Sequence, residues 1–206
     1  MGGTLVAILL GGHPAGCQIG PPAAMQAPMT INHARLLVLL SAILAAAALR
    51  LVPHPPNFTP IGAMALFSGA YLPRRGLAFA APLVALLLSD LVLGFYHGMV
   101  FVYATTALAV MIGWWLSSRR TPLRIAAAAI ASSIVFFVLS NFGMWLFSGY
   151  YPLTAAGFAA CYAAAVPFFQ NSLAGDLFYS ALLFGGFALL ERAVPALRGG
   201  SEPQAA

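Results

Sequence analysis

The sequence predicts an all-α integral membrane protein with six transmembrane helices. Three observations carry that reading. The 206 residues are 62% hydrophobic and only 6% charged, whereas a soluble domain carries about 25% charged residues. Such a chain cannot clothe a water-facing surface. Its apolar runs are continuous and rich in alanine and leucine; strands of a membrane barrel would alternate apolar and polar residues instead, so the runs read as helices. Finally, the arginines are distributed among the junctions between those runs as a membrane topology requires.

The spans fall at roughly 35–52, 58–73, 76–95, 98–117, 122–148 and 170–194. The stretch 154–166, "TAAGFAACYAAAV", is helical in character but too short to cross, and is expected to lie at the surface or dip into the membrane before Pro167. Arg35 opens the first span, Arg74 and Arg75 separate the second and third, Arg119, Arg120 and Arg124 separate the fourth and fifth, and Arg192 and Arg198 follow the sixth. With six spans these eight share one side and Arg50 alone takes the other. The positive-inside rule then places both termini in the cytoplasm of a bacterial inner membrane. The net charge of +5 contains no lysine and reads as topology, not as a nucleic-acid surface.

Residues 1–33 read as a leader or disordered tail, 34–195 as the membrane domain and 196–206 as a cytoplasmic tail. "LVAILL" followed by "PAGC" faintly resembles a lipoprotein signal ending at Cys17, but no positive charge precedes the run. Met25 or Met29 is the better start, with Asn32 available to cap the first helix. Cys17 and Cys161 are far apart and form neither a metal-ligand pattern nor a disulfide framework.

The polar residues collect at the end of the bundle that this topology places outside. "RLVPHPPNFTP" joins the first two spans with four prolines, which restrict the backbone around His54 to extended conformations. Asn57 or Thr59 is expected to cap the second helix, with Pro60 in its first turn. Asp90, Asn141 and Asp176 each come about 7–10 Å below the outer ends of their helices, and His97, Trp145, Phe168, Phe169, Gln170 and Asn171 lie above them. An outward-facing cavity is expected, lined by the third, fifth and sixth helices and lidded by 53–60. Each residue also has a plainer role. Asp90 or Asp176 could pair with Arg50, Asn141 could bond a neighbouring helix, and Tyr150 and Tyr151 suit an interfacial aromatic belt.

"PNFTPIGAMALFSGAYLPRR" and "LLLSDLVLGFYHG" resemble a bacterial family of uncharacterised six-helix membrane proteins. Six short helices with an outer cavity also resemble the S components of energy-coupling factor transporters, and among these the solitary cobalamin transporters, which share an arginine ending the first helix and a proline-containing outer loop. The resemblance implies an S-component-like bundle that binds a vitamin-like small molecule, with cobalamin or a related corrinoid as the first candidate. The cysteine that supplies a cobalt ligand in those transporters has no counterpart in "FYHGMVFVYATT", so His97 or His54 would have to supply an axial nitrogen. It also implies docking to an energy-coupling scaffold and ATPase through small residues of the first helix, where Ser41/Ala45 and Ala42/Ala46 stand at four-residue spacing. The chain carries no phosphate-binding GxxxxGK[ST] loop of its own.

The expectation is therefore an uptake protein for a small molecule, embedded in the lipid bilayer, with no intrinsic cofactor and no nucleic-acid partner. Arg50, His54, Asn57, Asp90, His97, Asn141, Trp145, Phe168, Phe169, Gln170, Asn171 and Asp176 are its candidate ligand-binding residues. The alternatives are a membrane-embedded enzyme with a His/Asp site, against which no HExxH or nucleophile–base spacing appears, and a structural or assembly subunit.

Overall fold

In the computed structural model, residues 32–96 and 98–198 are described; His97, the leader with Cys17, and the tail beyond Arg198 lie outside them. The fold is all-helical: α1 (His33–Leu49), α2 (Ile61–Tyr71), α3 (Arg75–Leu93), α4 (Met99–Leu116), α5 (Pro122–Phe147) and α6 (Ala155–Ala193), followed by a 3₁₀ turn at Pro195–Leu197. Four of these, α3 to α6, are long and apolar enough to cross a membrane. Side-chain caps start three helices: Asn32 accepts from the Arg35 amide, Thr121 from Arg124 and Thr154 from Gly157.

The main departure from expectation is α6. The segment 154–166 is not a separate surface helix, and the last span does not begin at 170. A single helix of 39 residues runs from Ala155 to Ala193, with Pro167 inside it and a π turn at Ala181–Gly185. At 1.5 Å per residue it is about 58 Å long, well beyond a hydrocarbon core of about 30 Å. Proline removes one hydrogen bond from the ladder, but packing holds the helix together across it. Before the proline, Trp145 meets Phe158 edge to face at 5.3 Å, Phe137 meets Tyr162 at 5.7 Å and the Tyr162 hydroxyl donates to the Val138 carbonyl at 2.6 Å; after it, Phe137 also meets Phe169 at 4.9 Å. The early turns of α6 are thus bound to α5 from end to end.

The core sits around α2. This helix has no polar face; every residue from Ala63 to Ala70 is buried, as a helix apolar all round must be. It packs face to face with α4 through glycine. A Cβ at Gly69 would overlap the Val110 carbonyl, and one at Gly113 would overlap the Leu66 carbonyl. Only backbone on backbone fits there, the close approach that small residues allow between membrane helices. With 11 residues, α2 is about 16 Å long, roughly half the hydrocarbon thickness.

The arginines of α1, the α4–α5 connection and the α6 terminus meet at one end of the bundle. Arg35 pairs with Glu191 and donates to the Leu197 carbonyl, and Arg120 lies 4.2 Å over the Tyr71 ring while donating to the Ala70 carbonyl at 2.7 Å. The opposite end carries the 51–60 connection. The small residues of α1 are not all on one outward face: Ala46 is 4% exposed and belongs to the core, while Ser41 and Ala45 are exposed.

Candidate functional site

Two polar clusters occupy the half of the bundle nearest the 51–60 connection. The first joins α1, α3 and α4. Arg50, the C-cap of α1, pairs with Asp90 at 2.8 Å and also donates to the Ser89 hydroxyl. The second oxygen of Asp90 accepts from the Tyr103 hydroxyl at 2.9 Å. Asp90 is 0% exposed and Arg50 9%. Each buried charge here has its counter-charge and further hydrogen bonds, which is the condition under which such a pair is tolerated. Neither residue borders the two cavities beside the second cluster.

The second cluster is built on Asp176. It lies among α2, α4, α5 and α6, is 6% exposed, and has no cationic partner among the described residues. Its Oδ2 accepts from the Ser133 hydroxyl at 2.6 Å, and the carboxylate lies against the first turn of α2, beside Gly62 and the Ala63 backbone N–H. Ala63 is in the first turn of α2, whose N-cap, Pro60, offers no side-chain hydrogen bond. Neither Asn57 nor Thr59 caps α2 as expected; an acid from α6 stands at that terminus across the bundle. It favours the helix terminus because the unpaired N–H groups there carry partial positive charge. Gly62 is what admits it, since a Cβ at that position would overlap the carboxylate.

Beside Asp176 lies a small pocket of about 20 Å³, walled by Asn57, Thr59, Gly62, Thr105, Thr106, Ser132, Phe136 and Ser172. That is room for one water-sized group. Thr105 and Thr106 both donate to the Val102 carbonyl, at 2.9 and 2.7 Å, and Ser172 donates to Phe168 at 3.4 Å. A carbonyl can only accept, so these hydroxyl protons are committed to backbone. What they turn to the pocket is lone pairs.

Next to it opens a larger cavity of about 460 Å³ between α5 and α6. Phe136, Phe137, Phe168, Phe169, Tyr150 and Tyr151 line it, with Ser140, Asn141 and Met144 among the remainder. Asn57, Phe136 and Ser172 border both spaces, so the two are neighbours under one roof. The roof is Pro56–Asn57. Asn57 holds φ at +64°, a left-handed conformation that asparagine tolerates better than most residues. Asn171 donates to the Pro56 carbonyl at 3.0 Å, and Phe58 packs on Tyr179 at 5.5 Å, which fastens the roof to α6.

Of the residues singled out from the sequence, Asn57, Asn141, Phe168, Phe169 and Asp176 border these spaces. Asn141 donates to its own helix at Phe137 and sits eight residues beyond Ser133 on α5, about 12 Å along the axis. Asn171 acts on the roof from outside. His54 is exposed, with Nδ1 2.8 Å from the Val52 carbonyl. Trp145 donates to Pro152 at 3.0 Å, and Gln170 is exposed; neither is in a cavity wall. The expected single layer of Asp90, Asn141 and Asp176 is divided among an ion pair and two spaces, and α4 stands where the third helix was expected to line the site. Sequence reasoning missed the hydroxyl pairs Thr105–Thr106 and Ser132–Ser133. Their signal was adjacent hydroxyls in otherwise apolar helices, easily discounted because such groups commonly bond their own backbone.

A helical bundle with four membrane-length apolar helices packed around a short buried one is the architecture of a membrane protein. Among the described residues, no three His, Cys, Asp or Glu side chains come together as a metal site. Residues 30–197 match the family of unknown function DUF6580, and the chain belongs to that family. No curated protein and no solved structure matches the chain.

Proposed function

We propose that the protein is a membrane uptake protein that binds a small, vitamin-like molecule between α5 and α6. The single observation that carries this reading is the cavity of about 460 Å³ under the Pro56–Asn57 roof. Its size is that of a small-molecule site, and its composition is the usual one, aromatic and other apolar side chains with a few polar groups among them. Non-helical backbone is tolerated at membrane depth where it lines such a space, which suits the extended segment above the half-length α2.

Placed in a bacterial inner membrane with the arginine end cytoplasmic, the cavity faces outward and both ends of the chain face inward. The protein then makes six crossings, that of α2 being completed by the extended segment before it. The resemblance to S components suggests cobalamin or a related corrinoid with His54 or His97 as axial ligand, but a cavity of about 460 Å³ without His54 in its wall favours a smaller molecule. An ATP-driven step would require a partner scaffold, for which Ser41 and Ala45 are the exposed small pair on α1.

Native mass spectrometry of the purified full chain tests the reading directly, with a retained molecule expected. Ala165 also lines the cavity. Ala165→Trp should abolish retention without lowering Tm, because it fills space and removes no contact. Retention unchanged in Ala165→Trp would place the molecule elsewhere. Reporter fusions after Arg120 and Arg198 should read cytoplasmic and one after Tyr151 external.

A further inference from the structure

The three acids of the described residues are not alike. Asp90 has Arg50 and Glu191 has Arg35. Asp176 is the exception: a carboxylate buried where a charge is expensive, held by the Ser133 hydroxyl and lying against the start of α2 at Gly62, with no counter-cation among the described residues. The partial charge of the α2 terminus offsets only part of a full negative charge. The pocket beside it is rich in acceptors: the carboxylate, the hydroxyls of Thr105, Thr106 and Ser172 whose protons point to backbone, and Asn57, Thr59 and Ser132, which can accept as well as donate. A second carboxylate or phosphate would meet repulsion there, and an apolar group would leave the acceptors unpaired. A group with several N–H donors and one positive charge satisfies them. At about 20 Å³ the pocket admits one such head. Its neighbour is a cavity walled by aromatic rings, whose faces also attract cations.

We infer that the ligand is a small organic monocation, whose ammonium head sits against Asp176 and whose apolar or aromatic body fills the cavity between α5 and α6. This rests on the uptake reading for its biological role, but the binding itself is testable alone. One carboxylate balances one positive charge, so a monovalent head matches the site better than a divalent metal ion, which is bound by several oxygen ligands including more than one carboxylate in most protein cages.

The probes are 2-phenylethylamine, the isosteric alcohol 2-phenylethanol and phenylacetate, with NaCl matched throughout. Each is titrated against the full chain in lipid nanodiscs while Tm is followed. The amine should raise Tm saturably, and the alcohol and carboxylate should not. Thr106→Val, which keeps the shape and removes one acceptor, should weaken the amine about tenfold. Asp176→Asn should abolish the response, and should it fail to fold, Thr106→Val and Ser132→Ala supply the test. No stabilisation by the amine overturns the inference. So does an equal effect of the alcohol, an effect of NaCl alone that the amine does not exceed, or an amine response undiminished in the Thr106 and Ser132 variants. A neutral or anionic molecule retained in native mass spectra would overturn it while leaving the uptake reading standing, and loss of both would remove the two together.

Discussion

Asp176 and Arg120 hold opposite ends of the same buried helix. The carboxylate lies against the first turn of α2, beside Gly62 and the Ala63 N–H, and the guanidinium donates to the Ala70 carbonyl in its last turn through Nε and Nη2, at 3.1 and 2.7 Å. Both signs match the helix dipole. A short apolar helix surrounded by protein has no water to satisfy its terminal N–H and C=O groups, so two charges from other parts of the chain do so.

Removing either charge should therefore loosen α2 from its own end. Arg120→Gln and Asp176→Asn are each expected to lower stability by about 1–2 kcal/mol. Because Ala63 and Ala70 are about 11 Å apart along the helix, the double variant should be additive within about 0.5 kcal/mol. Unfolding in mixed micelles measures both. A strong coupling energy would show that the two ends do not act independently.

Arg50 has one acidic partner, and it is Asp90. Asp90→Ala leaves a buried guanidinium uncompensated and is expected to cost about 3–5 kcal/mol. The double change with Arg50→Leu should recover much of that loss, since an apolar pair can replace a buried ion pair. Asp176→Asn should show no such rescue by Arg50→Leu. A rescue of Asp176→Asn would mean that Arg50 serves the other acid.

Gly69 and Gly113 should be the least replaceable residues in the core. Each faces a carbonyl oxygen of the other helix, with no side chain that could move aside. Alanine at either position is expected to destabilise by about 1–3 kcal/mol through overpacking, and leucine to prevent folding. Gly76, with nothing near its Cβ position, is the control and should accept alanine freely. Expression level and Tm of the five variants decide this.

Asn57 separates backbone need from side-chain need. Its φ of +64° suits glycine, so Asn57→Gly should fold with Tm nearly unchanged while removing the amide that borders both spaces. Asn57→Val puts a branched side chain in the left-handed region and should cost about 1–2 kcal/mol. Ligand retention lost in both variants, with Tm lost only in valine, is the expected pattern. Equal Tm loss in the two would show that the amide supports the roof.

The sequence by itself determined the class of this protein and the number of its major helices. Apolar runs separated by arginine junctions leave a chain no alternative to a helical membrane bundle, because every backbone polar group in hydrocarbon must be satisfied within its own segment. It also marked Asp176 and the roof, since a lone acid in an apolar run and four prolines in eleven residues are visible without coordinates. Tertiary structure decided the rest. Which acid Arg50 joins depends on which helices are neighbours. Whether Pro167 ends a helix depends on how firmly α5 holds both sides of it. Sequence spacing estimates depth along a single helix, but a cavity is bounded by several, and their rotation about their axes is set by contacts such as Gly69 on Gly113. That rotation turns Thr105, Thr106, Ser132 and Ser133 toward Asp176 and leaves Asp90 to a different partner.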